Sequence, residues 1–161
     1  MSKQKLEVKK MVDLVQEQYQ TKELVLDLGD EQFTVQYDVK FKDSKIQEYI
    51  KEWMLIKTTY VSDVEINMFD MSFILILKHF TDLPFEHFDK VEEKVDHYVR
   101  MTNLLFDLKD KDGMSVFDKV FSVLDEEEVK KISQKMTEVG NEILAKTEEM
   151  KAMAKELEEV K

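Results

Sequence analysis

The chain of 161 residues contains no cysteine. Without a thiol there is no disulfide framework, no zinc ribbon and no cysteine nucleophile. Its three glycines, Gly29, Gly113 and Gly140, lie far apart. Phosphate cradles of the P-loop or Rossmann kind need glycines at fixed, close offsets, so both are excluded. Scarce glycine also removes the left-handed backbone and close ligand approach on which active sites draw, which favours binding over catalysis. Arg100 is the one arginine among 24 basic residues, whereas bidentate readout of phosphates and bases favours arginine. The longest apolar run, Phe73–Leu77, is far short of the ~18 residues a membrane helix needs. The opening MSKQKLEVKK lacks the apolar stretch of a secretory signal. These absences together lead us to expect a soluble intracellular protein, non-enzymatic, with no cofactor and no membrane association.

What is present is charge and apolar periodicity. Acidic residues number 35 against 24 basic, for a net charge of −11, and hydrophobic residues make up 43 %. That apolar share supports a packed core, and the length suits one domain. The negative charge would repel a nucleic-acid backbone, so direct nucleic-acid binding is not expected. A chain this acidic also raises the idea of a DNA mimic. However, over residues 125–161 eleven acids are interleaved with seven lysines, which is an ordinary solvated helix surface.

Residues 3–20 read as a short amphipathic helix carrying Leu6, Met11, Leu14, Val15 and Tyr19. The period then changes to two. Leu24, Leu26 and Leu28 alternate with polar residues or Val25, and Phe33, Val35, Tyr37, Val39 and Phe41 follow after a turn at Gly29–Gln32. The pair predicts a β-hairpin whose apolar face docks on helices and whose outer edges are open to a partner. From residue 43 onward the pattern is helical. Ser44 with Gln47 and Ser62 with Glu65 are capping-box signatures, Phe73–Leu77 marks the most buried helix, and Leu83-Pro84 ends it. Residues 86–108 predict another helix, and a short one carries Val116, Phe117, Val120 and Phe121. Asp125 with Glu128 then caps a last helix with apolar steps of three and four: Val129, Ile132, Met136, Val139, Ile143, Lys146, Met150, Met153, Leu157 and Val160. This is a heptad seam interrupted by Lys146, with a kink or end expected at Gly140-Asn141. The expected fold is mainly α: a helical domain with an N-terminal β-hairpin over 1–124, and a long heptad-patterned C-terminal helix over 125–161 that is free to project.

Candidate chemistry is thin. His79, Asp82, Glu86, His87 and His97 suggest a metal site, but Pro84 breaks their register and no pair sits on one helical face. Asp110-Lys111-Asp112-Gly113 resembles a calcium loop, yet an EF-hand with its glycine there would need acids where Leu108 and Lys119 stand. Acid pairs such as Glu92-Glu93 read as solvated helix faces rather than acid–base dyads. The ten methionines carry more information, because methionine adapts to irregular apolar partners. The candidate protein-binding residues are Met136, Ile143, Met150, Met153, Leu157 and Val160 on the seam, with Val35 and Tyr37 in the hairpin.

The acidic, cysteine-free chain has an early hairpin leading into Phe41-Lys42-Asp43-Ser44-Lys45-Ile46. An apolar helix follows that ends Leu77-Lys78-His79-Phe80-Thr81-Asp82, and then a later Leu124-Asp125-Glu126-Glu127-Glu128-Val129. Over residues 22–135 this arrangement resembles tail assembly chaperones of long-tailed phages and prophages of Gram-positive bacteria. The resemblance implies a helical, self-associating protein of the host cytoplasm without catalytic residues. Its expected partners are a tape-measure protein, which it coats, and tail-tube subunits, which it recruits. The long heptad tail has no counterpart in that pattern. Two other readings stand beside it: an acidic DNA-mimic inhibitor of a host nucleic-acid-binding enzyme, and a coiled-coil adaptor.

Overall fold

The computed structural model describes residues 7–59 and 67–159. Among these the chain forms six helices and one two-stranded antiparallel sheet. The order is α1 (Val8–Gln18), β1 (Thr21–Leu28), β2 (Glu31–Asp38), α2 (Asp43–Thr59), α3 (Met68–Phe80), α4 (Val91–Asp107), α5 (Val116–Ser122) and α6 (Glu126–Glu159). The mainly α architecture, the hairpin and the long last helix agree with the sequence pattern. The Ser62–Glu65 signature lies outside the described residues.

The hairpin pairs Leu24 with Val35 and Leu26 with Phe33, so its alternating apolar residues share one face. Gly29 and Asp30 alone make the turn. Gly29 has φ +64° and, among the described residues, no residue other than glycine has positive φ, which is the type II′ pattern with glycine first. The outer edges are less open than alternation suggests. On β2, Gln36 donates its amide to Asp82 Oδ1 (2.7 Å) and accepts from the Asp82 amide (3.0 Å). On β1, Asp27 donates its amide to Asp110 Oδ2 (3.1 Å) and accepts from the Lys111 amide (3.0 Å).

Helix α3 is the centre of the core, with Ile74, Leu75, Ile76, Leu77 and Phe80 all buried. A helix apolar on nearly every face has no solvent side, and α2 and α4 pack around it. Phe80 stacks on Phe41 with ring centroids 3.7 Å apart, which ties the end of α3 to the link between hairpin and α2. Helix α4 begins at Val91, five residues later than the pattern suggests. Residues before it run irregularly, and the Glu86 amide donates to His97 Nε2 (3.1 Å), a tertiary bond that replaces a helical one. Ser115 caps α5 by accepting from the Asp118 amide (3.0 Å).

Helix α6 runs unbroken for 34 residues through Gly140 and Asn141, where a kink or end was expected. At 1.5 Å per residue it is about 50 Å long. Asp125 Oδ1 accepts from the Glu127 amide (2.8 Å) at its start. Glu128 does not reach back to Asp125. It is buried and accepts from the Phe41 amide (3.0 Å), so it anchors α6 to the β2–α2 link instead.

Candidate functional site

Ile50, Trp53 and Met54 of α2 face Met136, Val139 and Ile143 of α6 across an open apolar groove of about 390 Å³. The indole of Trp53 is fixed by donating Nε1–H to Ser72 Oγ (3.0 Å), and Lys57 Nζ lies 4.7 Å from its ring centroid. Gly140 lines this groove, and a Cβ there would meet nothing within 4 Å. Ile143 and Leu144 at its rim are exposed, as are Met150 (63 %) and Met153 (62 %) farther along α6.

A second apolar groove, of about 670 Å³, lies between the hairpin and α4. Leu26, Phe33 and Val35 form its hairpin wall, and Leu104, Leu105 and Leu108 its helical wall. Phe33 sits on the core-facing side of the hairpin opposite Leu26, yet 46 % of it is exposed because the two walls do not close over it. Asp110, in the turn after α4, ties that turn to β1. Its carboxylate accepts from the Asp27 amide and from Lys119 Nζ (2.6 Å), and the Lys119 bond keeps its carboxyl below the usual range.

The densest polar group is a cluster around Glu52 on the buried side of α2. Lys78 Nζ donates to both carboxylate oxygens (2.6 Å each) and to Tyr98 Oη (2.6 Å), while Tyr98 donates to Glu52 Oε1 (2.5 Å). His79 Nε2 lies 2.7 Å and Lys94 Nζ 3.5 Å from the same carboxylate. Burial opposes ionisation of Glu52, but hydrogen bonds from His79, Lys78 and Tyr98 outweigh it and hold the carboxyl far below its usual range. Burial, reinforced by the bond to Glu52, pushes the Tyr98 hydroxyl well above the ordinary tyrosine range. This cluster neutralises charge inside the fold and adjoins neither groove.

The histidines do not converge. His79 serves Glu52, His97 accepts from Glu86, and His87 is exposed beside Asp89 (3.5 Å). Among the described residues no group of three or more His, Asp or Glu side chains could hold a metal ion. No helix among them is long and apolar enough to cross a membrane.

A family model described as YomO matches residues 7–161. The chain belongs to the YomO family. No curated protein and no solved structure matches it. The name YomO is phage-derived. The YomO match takes in α1 and the whole described length of α6, beyond the 22–135 span of the tail-chaperone resemblance, so neither end is an appendage to the family's pattern.

Within this YomO-family fold the sequence-predicted residues divide into three groups. Met136 is half-buried and, with Ile143, lines the α2–α6 groove. Met150 and Met153 lie on the exposed length of α6; Leu157 belongs to that helix but its side chain is not described, and Val160 lies outside the described residues. Val35 and Tyr37 face inward: Val35 is buried in the wall of the hairpin groove, and Tyr37 packs half-buried against the core. Sequence reasoning missed Phe33, Leu104 and Leu108 as surface. Leu104 and Leu108 are spaced i, i+4 outside the main α4 stripe, and that offset was the available signal.

Proposed function

We propose that this protein is a non-enzymatic phage tail assembly chaperone that coats the tape-measure protein and recruits tail-tube subunits through apolar helix faces. The observation that carries the reading is the exposed apolar side chains of Ile143, Met150 and Met153, which share one face of α6, interrupted by Lys146, as the helix leaves the α2 groove. A monomeric soluble domain seldom leaves a contiguous apolar face in water, so such a face marks an interaction site. Methionine lets one face fit several irregular apolar stripes, as a coat along a long helical client requires. The phage-derived family name is in keeping with this reading. The net charge of −11 keeps the coated complex dispersed. Co-expression with the tape-measure protein of the same phage genome tests it. Increased solubility and co-purification are expected, and their absence would end the proposal.

The unbroken helix α6, with its heptad seam interrupted by Lys146, favours a second reading, a coiled-coil adaptor, in which the distal helix pairs and binds no client. DNA mimicry gains nothing from the charge layout. Glu127, Glu128 and Glu138 are each paired with a lysine three residues away on α6, which breaks up any phosphate-like row.

A further inference from the structure

Helix α1 is amphipathic, yet no residue of it is buried. Val8, Met11, Val12 and Val15 fall on one face at 3.6 residues per turn, and all four are exposed. Lys9 borders that face on one side and the N-cap Glu7 on the other, while Asp13 and Glu17 lie behind it. The chain thus presents a short apolar stripe with one lysine, Lys9, on its border.

The groove between hairpin and α4 is the complement. Its walls are apolar, Leu104 at its lip is 62 % exposed, and the only charged residues lining it are Asp82 and Asp107. Asp107 forms no ion pair among the described residues. A groove of about 670 Å³ has room for several side chains of valine and methionine size. Helix α1 is about 16 Å long at 1.5 Å per residue. Its own groove is poorly placed to receive it: α1 joins β1 at Gln20, whereas Leu26 and Leu28 lie toward the far end of β1, about 20 Å away at 3.3 Å per residue.

We propose that α1 of one copy docks in the hairpin–α4 groove of a second copy, with its valine–methionine stripe against Phe33, Leu104 and Leu108 and Lys9 toward Asp82 or Asp107. Each copy carries both halves of the contact, so two copies can exchange α1 reciprocally across a two-fold axis, and head-to-tail repetition of the same contact builds a ring or an open chain. The contact does not rest on the chaperone reading. A chain that assembles this way but binds no tape measure keeps this inference and loses that function.

Complementation between two full-length variants tests it. Val12→Asp places a charge on the stripe and leaves the groove intact; Leu104→Asp does the reverse. Both positions are exposed, so folding should survive, as circular dichroism would verify, and Val12→Ser with Leu104→Ser provides a milder pair. By light scattering after gel filtration, the unaltered protein should grow in mass with concentration, and each variant alone should be monomeric. An equimolar mixture should run at twice the monomer mass, because the free α1 of one variant fits the free groove of the other. The proposal fails if the unaltered protein is monomeric, if Leu104→Asp assembles normally (stripe pairing with stripe), or if the mixture stays monomeric. It also fails if Met150→Asp with Met153→Asp alone dissolves the assembly, which would place the contact on α6.

Discussion

Glu52 is a charged residue held where water is scarce, and its three hydrogen-bond donors decide its state. Its carboxyl titrates below the ordinary range, despite burial, because Lys78, His79 and Tyr98 all point protons at it. A depressed carboxyl adds stability that is complete above the unfolded value, about 4.3, and is lost as pH falls below it. Glu52→Gln leaves Lys78 and Lys94 facing a neutral group. Removing one partner of a buried ion pair typically costs 3–5 kcal/mol, and the lower end applies because Lys78 retains some solvent access. Urea unfolding should therefore show a loss of about 3 kcal/mol at pH 7 that shrinks as the pH drops below 4. Two tyrosines report the opposite limb. Burial pushes the Tyr49 hydroxyl up to about 12, and Tyr98 is also raised. A raised group lends stability below its unfolded value near 10 and loses it as pH rises toward the folded one. Absorbance at 295 nm should show Tyr49 and Tyr98 ionising only as the protein unfolds between about pH 10 and 12. Tyr49→Phe should move that unfolding upward in pH.

At the level of elements, Gly140 breaks a local rule without steric reason. It sits inside α6 with a helical backbone, and nothing lies within 4 Å of where its Cβ would be. Gly140→Ala should stabilise the protein by about 1 kcal/mol and raise Tm by about 2–4 °C in calorimetry. Apolar periodicity placed the elements, with capping signatures and Pro84 for some ends, and it served where burial on one face governs an element. The hairpin alternation of Leu24 to Leu28 and Phe33 to Tyr37, and the all-round apolar α3, were plain in the residues for that reason. It failed where a tertiary bond decides: the irregular start of α4 depends on His97 accepting from Glu86, and Glu128 serves Phe41 rather than its own helix end. Glu52 had left a trace, since it stands between Tyr49 and Ile56 on the buried stripe of α2. The hairpin–α4 groove left none, because alternation assigns Phe33 to an inner face without saying whether anything covers it.

On the scale of the whole molecule, α6 joins two regimes in one helix. From Glu128 to Val139 it is held by Phe41, by the buried Ile132 and by α2. From Leu144 on, no residue whose burial is described is buried. In proteins most helical stability comes from packing of an amphipathic face rather than from the helix itself, and that packing is what this stretch lacks. The distal turns therefore add length without adding to the cooperative stability of the core. Deleting residues 145–161 should leave the unfolding free energy from urea titration within about 0.5 kcal/mol of the full chain, as expected for surface changes away from packed features. Amide exchange in the full chain should be fast beyond Leu144 and slow through α3 and the first turns of α6. Partner binding should restore protection across Met150 and Met153 if that row is where a client or a second helix lies. A truncated chain that loses several kcal/mol would instead mean that the distal helix folds back on the domain.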